Sequence, residues 1–281
     1  MSGLAPGELS LSSARVHYRR WGTVGPRVVL LHPIGFDLNT WRLTVPFLVE
    51  GYQLAAVDLP GHGASDKPAG ADYSIPSLAA RMLEFLDELG WEDASFAGSS
   101  LGGGVSLAAA IRAPARVSSL VLCNSVAFSH GLPRWLGQLG QLPGMPFIFG
   151  RIPLPVMRTT LRFARGGCAS VEKDTCERCT RYLHSQDGRL AFFRTLHSLY
   201  GSALDDMAEG YEGIRCPALI LHGVRDPLIP LKHAEQLATV LPQSRLVRIP
   251  GSGHFPQEED PERTGRAIRR FLDETLVGAA D

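Results

Sequence analysis

Two adjacent serines, Ser99 and Ser100, lie in a run of small residues with the sequence FAGSSLGGG (96–104). Such a run can form a phosphate-binding loop, a close contact between a helix and a strand, or a sharp turn that exposes a catalytic hydroxyl. A P-loop requires a lysine after its glycines and a dinucleotide-binding turn requires G-x-G-x-x-G, and this run has neither. It does fit G-x-S-x-G at 98–102, which predicts a nucleophilic serine between a strand and a helix.

Ser100 is the predicted nucleophile because it has glycine two positions away on both sides, Gly98 and Gly102, whereas Ser99 does not. Glycine at these positions removes side chains that would collide in a tight turn from strand to helix. Ser99 is expected to point away from the site. A helix that begins after Ser100 directs free backbone N–H groups at the same point, so the N–H of Leu101 is predicted to stabilise an oxyanion.

The elements that must position this turn alternate along the chain. Continuous apolar runs predict strands that are buried on both faces. These runs are 27–32, 52–60, 94–99, 117–125 and 217–223. Helical patterns lie between them, including an apolar stripe from Leu78 to Leu89 and a helix that Asp260 caps. The order predicts an α/β fold with a mostly parallel, doubly wound sheet, in which ligands bind beyond the carboxyl ends of the strands. Residues 8–22 predict an antiparallel edge hairpin.

With these motifs the sequence resembles the α/β-hydrolase fold family over nearly its whole length. The resemblance rests on the G-x-S-x-G turn, on the run DLPGHGASDKP (58–68) after a strand, and on a downstream acid and histidine. The family's chain order of nucleophile, acid and histidine implies Asp226, just beyond the last buried strand, and His254, in the loop of RIPGSGHFPQEEDPE. Either residue alone could be a turn carboxylate or a hydrogen-bonded loop histidine. Together with Ser100 they predict a catalytic triad.

In that triad His254 is expected to accept the Ser100 proton during attack and return it to the leaving group. Asp226 is expected to hold the imidazole tautomer and to stabilise its charged form. Some relatives take their acid from the end of the strand before the inserted segment. This chain has Asn124 there, which cannot serve as an anion.

The resemblance assigns the second oxyanion donor to the backbone N–H of Ile34, in the run HPIG (32–35). Proline at position 33 replaces a common glycine of the family, but it leaves the Ile34 donor in place. Relatives that act on halides or epoxides carry aspartate at the nucleophile position, so Ser100 argues against both activities.

The alternation of strands and helices breaks between about Ala127 and Glu209. This segment predicts a helical lid inserted after the sixth strand, so that the core comprises 1–126 and 210–281 and the lid comprises 127–209. Between Arg134 and Arg194 the sequence has nine arginines and one lysine but only four acidic residues. These cations either lie on solvated helix faces, which we favour, or attract an anionic substrate.

The composition excludes several classes of function. With 28 basic and 28 acidic residues the chain has no net charge to attract nucleic acid or acidic membranes. Its five cysteines are few for this length and odd in number, which argues against a secreted disulfide framework, and it shows no signal-peptide pattern and no membrane-spanning apolar run. We therefore expect a cytoplasmic protein that has neither nucleic acid nor a membrane as a partner. The pair Cys176 and Cys179, with Cys168 and His184 nearby, offers fewer well-spaced ligands than a structural zinc site requires. No metal or cofactor is expected.

These residues together predict a cofactor-free serine hydrolase that cleaves a small carboxylic ester or lactone through an acyl-enzyme. A carbon–carbon bond hydrolase of ring-cleavage products, a perhydrolase-like enzyme and a non-catalytic ligand receptor remain as alternatives on the same fold. Ring-cleavage members of the family typically carry a Gly-Pro-Gly oxyanion loop, which HPIGFD (32–37) lacks. A complete triad argues against the receptor. Analogy of fold alone does not identify the substrate.

Overall fold

A computed structural model of the chain describes residues 6–132, 144, 148, 151–167, 172–200 and 203–277. The strands found there are β1 Gly7–Ser10, β2 Arg15–Trp21, β3 Arg27–Leu31, β4 Gln53–Val57, β5 Ala94–Ser99, β6 Val117–Cys123, β7 Ala218–Gly223 and β8 Ser244–Ile249. They form one sheet in the order β1-β2-β4-β3-β5-β6-β7-β8.

The sheet has an antiparallel edge and a parallel body. β1 pairs with β2, and β2 pairs with β4, in antiparallel register, whereas every pair from β4 to β8 is parallel. This confirms the predicted α/β fold and the predicted edge hairpin. Because the body is parallel, the carboxyl ends of β3 to β8 open onto one edge of the sheet, where a site can be assembled from several loops.

Helices in the described residues are α1 Ile75–Glu88, α2 Leu101–Arg112, α3 Leu154–Ala164, α4 Lys173–His184, α5 Gln186–Ser198, α6 Ala203–Ala208, α7 Leu231–Val240, α8 Pro256–Glu259 and α9 Pro261–Leu272. The Asp260 side chain caps α9, as predicted, by accepting a hydrogen bond from the Arg263 N–H at 3.2 Å. No helix in the described residues is long and apolar enough to cross a membrane.

Two apolar layers cover the two faces of the sheet. On one face α1 and α2 pack against β3, β5 and β6 through residues such as Phe85 and Val105. On the other face α9 contributes Ile268 and Phe271, which pack with Trp41 against the same strands. The central strands are buried on both sides, which explains why their sequences are continuously apolar.

Helices α3 to α6 lie between β6 and β7 in the chain and contact the loops at the carboxyl edge of the sheet. The Tyr182 hydroxyl on α4 donates to the Gly61 carbonyl at 2.9 Å, and Arg178 on α4 forms an ion pair with Asp37 at 3.1 Å. The described residues leave out 133–143, 145–147, 149–150, 168–171 and 201–202 of the predicted lid, which include Arg134 and Cys168. A lid function for this segment stays a prediction.

Asp58, at the end of β4, joins two loops of that edge. Its carboxylate is buried and accepts hydrogen bonds from the Leu38 N–H at 2.7 Å and the Ala64 N–H at 2.8 Å. Burial by itself raises the pKa of the Asp58 carboxyl, but the hydrogen bonds from His17 and from these backbone groups outweigh it, and the pKa lies below its ordinary value. The carboxylate therefore stays charged and holds both loops.

Candidate active site

Ser100 lies in a strained turn between β5 and α2. Its backbone has φ 51° and ψ −112°, a conformation that non-glycine residues avoid unless their surroundings impose it. A Cβ at Gly98 would lie 2.2 Å from the Gly102 carbonyl oxygen, and a Cβ at Gly102 would lie 2.5 Å from the Leu31 carbonyl oxygen. Glycine is therefore required on both sides of Ser100 for the strand and the helix to approach this closely.

The side chains of Ser100, His254 and Asp226 form one hydrogen-bonded line. The Ser100 Oγ lies 3.0 Å from His254 Nε2, and His254 Nδ1 lies 2.7 Å from Asp226 Oδ2. All three residues are buried. The line joins the turn after β5, the loop after β7 and the loop after β8, so the carboxyl edge of the sheet brings together residues that are far apart in sequence.

Hydrogen bonds orient the Asp226 carboxylate toward His254. Its Oδ1 accepts from the N–H groups of Leu228 at 2.8 Å and Ile229 at 3.0 Å. Burial alone raises the pKa of Asp226, but the neighbouring His254 and these hydrogen bonds outweigh it and hold the pKa below its ordinary value. An ionised Asp226 can hold the His254 proton on Nδ1, which leaves Nε2 free to accept a proton from Ser100.

Asn124, at the end of β6, is a site residue whose role sequence reasoning missed. Its Nδ2 donates to Asp226 Oδ2 at 2.5 Å, and its Oδ1 accepts from the Gly223 N–H at 3.1 Å. It is one of two described non-glycine residues with a positive φ, at 44°, and the other is Ser100. Sequence reasoning considered position 124 only as a place for the catalytic acid, which an asparagine cannot be. Its position beyond a buried strand next to that of Asp226 was the available signal for an amide that supports the acid.

Ser99 points away from this line. Its side chain is fully buried, and its Oγ accepts a hydrogen bond from Gln257 Nε2 at 3.1 Å. Gln257 belongs to α8, which begins two residues after His254. Ser99 therefore helps to fix the helix that follows the histidine loop.

The predicted oxyanion donors lie in two different elements, Ile34 in the loop after β3 and Leu101 at the start of α2. In the described part of the chain neither backbone N–H has a hydrogen-bond partner. His32 fixes the loop after β3, which carries Ile34. Its Nδ1 donates to the Pro33 carbonyl at 2.8 Å, and its Nε2 accepts from the Leu59 N–H at 2.9 Å. Burial lowers the pKa of His32, which is consistent with a neutral ring that both donates and accepts. The donor role of both residues stays a prediction.

The cysteines of α4 belong to an apolar cluster. Cys176 and Cys179 are buried with Leu161 and Leu183, and His184 Nε2 bonds to the Ile152 carbonyl oxygen at 2.9 Å. Within the described ranges no group of three or more histidine, cysteine, aspartate or glutamate side chains is arranged to hold a metal ion. Cys168 lies outside those ranges.

A parallel sheet with a strained serine turn after its fifth strand is the architecture of the α/β hydrolases, and the comparisons agree. A profile of the alpha/beta hydrolase family matches residues 28–267. The chain is 31% identical over 268 residues to a pimeloyl-[acyl-carrier protein] methyl ester esterase of Methylococcus capsulatus, covering 88% of this chain and 95% of that protein. It is 30% identical over 257 residues to a 2-hydroxy-6-oxo-2,4-heptadienoate hydrolase of Pseudomonas putida, covering 88% and 89%.

The solved structures give the same assignment. An alpha/beta hydrolase fold protein from Burkholderia ambifaria superposes with a TM-score of 0.82 at 25% identity and covers 93% of this chain and 96% of that one. The chain belongs to the alpha/beta hydrolase family, and its relatives include proteins named as a methyl ester esterase and as a 2-hydroxy-6-oxo-2,4-heptadienoate hydrolase.

The close approach at Gly98 generates a first prediction. Gly98→Ala is expected to lower the free energy of unfolding by about 2 kcal/mol or more, because the new Cβ would collide with backbone atoms that cannot move independently. Gly70→Ala is the matched control, since nothing lies within 4 Å of a Cβ there, and its change should be below about 1 kcal/mol. Urea denaturation of both variants makes the comparison, and equal stabilities would contradict the strained-turn interpretation.

Asn124 generates a second prediction. Asn124→Gly keeps the positive φ without strain but removes the amide, so Asp226 loses a donor and the Gly223 N–H loses its acceptor. The free energy of unfolding at pH 7 is expected to fall by about 1–3 kcal/mol.

Part of this loss should depend on pH, because the Asn124 hydrogen bond helps to hold the pKa of Asp226 below its ordinary value. A carboxyl with a lowered folded pKa stabilises the fold above its unfolded pKa of about 3.9, and the contribution disappears as the pH falls through the folded pKa. The difference between wild type and Asn124→Gly should therefore be largest near neutral pH and shrink in acid. A difference that grows in acid would contradict this role.

Proposed function

We propose that this protein is a cofactor-free serine hydrolase that cleaves a small carboxylic ester or lactone through an acyl-enzyme. The observation that carries the proposal is the buried line from Ser100 Oγ through the His254 imidazole to Asp226, with distances of 3.0 Å and 2.7 Å. A serine hydroxyl is a weak nucleophile at neutral pH, and a base within hydrogen-bond distance activates it.

The proposed reaction has two halves. In the first, Ser100 Oγ attacks the substrate carbonyl carbon while its proton passes to His254 Nε2. The bond to the leaving oxygen then breaks, and His254 gives that oxygen the proton. In the second half His254 takes a proton from water, the hydroxide attacks the acyl carbon, and the proton returns to Ser100 as the acid leaves. A lactone yields one hydroxy acid, whereas an open ester yields an alcohol and an acid.

The backbone N–H groups of Ile34 and Leu101 are the proposed oxyanion donors. Their lack of partners among the described residues supports this assignment. Leu101 also begins α2, and the positive end of a helix dipole favours a developing negative charge. Hydrogen bonds of this kind act on charge that develops in the transition state.

Aromatic side chains near the proposed oxyanion loop, residues 32–35, favour a substrate with an apolar acyl group. The ring of Phe192, on α5, would lie 3.2 Å from a Cβ at Gly35. The rings of Phe36 and Phe255 contact each other at a tilt of 42° with their centroids 4.7 Å apart, and Phe255 follows the histidine directly. We propose that helices α3 to α6 act as the lid that covers the site and supplies part of this apolar lining. The relative named as a methyl ester esterase supports the ester class.

A carbon–carbon bond hydrolase is the second candidate, because the Pseudomonas putida relative is named as a 2-hydroxy-6-oxo-2,4-heptadienoate hydrolase. The same serine, histidine and aspartate can serve that reaction, so the triad does not separate the two candidates. The absence of a Gly-Pro-Gly loop at 32–37 favours the ester or lactone.

A substrate panel tests the proposal. Purified wild type is assayed with 4-nitrophenyl esters of increasing chain length, with five- and six-membered lactones, and with a 2-hydroxy-6-oxo dienoate. Turnover of an ester or lactone is expected, with kcat lower by about 10³-fold or more in Ser100→Ala. Cleavage of the dienoate alone would favour the second candidate. Turnover that survives in Ser100→Ala would contradict both.

A further inference from the structure

We infer that Arg165, at the end of α3, is a positioning residue for the histidine and the acid of the active site. The inference rests on the proposed function, since it concerns how the Ser100, His254 and Asp226 line is held. Arg165 belongs to the segment between β6 and β7, which is distant in sequence from the loops it contacts.

Three consecutive backbone N–H groups around His254 have specific acceptors. The N–H groups of Gly253 and Phe255 donate to the two carboxylate oxygens of Glu259, at 2.7 Å and 2.9 Å. The middle N–H, that of His254 itself, donates to the carbonyl of Ala164 at 3.0 Å. The backbone of the inserted segment therefore completes the support of the histidine.

The turn at 164–166 lies between the loop that carries the acid and the loop that carries the base. A Cβ at Gly253 would lie 2.4 Å from the Arg165 carbonyl carbon, and a Cβ at Gly166 would lie 2.7 Å from the Arg225 carbonyl oxygen. Arg225 precedes Asp226, and its N–H donates to the Ser252 carbonyl at 2.8 Å, which joins the two loops directly. Three backbones meet here, and a displacement of the turn must move the acid or the base.

A buried ion pair fixes this turn. Arg165 Nη2 lies 2.6 Å from Glu258 Oε2, with side chains 5% and 0% exposed. Arg42 Nη1 contacts the other oxygen of Glu258 at 3.1 Å, and Arg42 also pairs with Glu172 just before α4. Glu258 belongs to α8, which begins two residues after His254. Loss of Arg165 leaves Glu258 held from one side, so α8 and the His254 loop shift relative to Asp226.

Labelling of Ser100 by a fluorophosphonate measures this alignment without knowledge of the substrate. The maximal labelling rate, kinact, reports the activation of Ser100, and the half-saturating concentration, KI, reports binding of the reagent. Arg165→Met is expected to lower kinact by about 10- to 100-fold with KI changed less than about twofold, as for misplacement of a catalytic group. The kinact of Arg165→Lys should lie between those of Arg165→Met and wild type, because lysine keeps the positive charge but lacks the planar, forked guanidinium group of arginine.

Arg162→Met is the matched control, since Arg162 is exposed on the same helix, and it should be labelled at the wild-type rate. A role in stability alone would lower the melting temperature of Arg165→Met and leave kinact per folded molecule unchanged, which would overturn the inference. If Arg165→Met does not fold, Glu258→Gln carries the test, with the same loss of kinact expected and a wild-type kinact contradicting it. Wild type that is not labelled would overturn the proposed function as well, which distinguishes the two failures.

Discussion

The backbone of Ser100 is held at a φ of 51° between a buried strand and a buried helix. A serine adopts this conformation only where its surroundings impose it, and here the surroundings are backbone atoms that leave no room for side chains at Gly98 and Gly102. The Ser100 N–H donates to the carbonyl of Cys123 on the neighbouring strand at 2.9 Å. The strained residue is therefore anchored in the hydrogen-bonded centre of the sheet. The strained turn places the Ser100 hydroxyl at the carboxyl edge, and the other side chains of the site are arranged around that hydroxyl.

Neighbouring strands deliver the groups that this hydroxyl needs. β5 leads to the serine turn, β6 ends one residue before Asn124, β7 leads to Asp226 and β8 leads to the loop of His254. Parallel register brings these ends to one edge, so side chains separated by 154 residues, those of Ser100 and His254, meet in a hydrogen bond. The segment between β6 and β7 adds two contacts to this arrangement: the carbonyl of Ala164 accepts the His254 N–H, and Arg165 forms an ion pair with Glu258. The segment between β6 and β7 is thus part of the scaffold of the site.

The sheet and the serine turn could be predicted because both have local signals, whereas the other two members of the candidate line, Asp226 and His254, followed from the chain order that the resemblance to the family implies. Strands buried on two faces are continuously apolar, and the turn at Ser100 needs glycines at fixed spacing. The support of that line has no such signal. Asn124 acts through an amide whose partners lie on another strand, and the Arg165 to Glu258 pair joins positions 93 residues apart. Contacts of this kind depend on how the folded elements pack together. The excess of arginine between 134 and 194 is visible in the composition, but the composition does not reveal which of these arginines is buried.

Intact-mass measurement after fluorophosphonate treatment tests the central claim, that His254 activates Ser100. We expect one adduct on wild type and on Ser99→Ala, because the Ser99 hydroxyl is buried against Gln257. We expect no adduct on Ser100→Ala and much slower labelling of His254→Ala. An adduct that persists in Ser100→Ala, or a folded wild type that remains unlabelled, would contradict the assignment of the nucleophile.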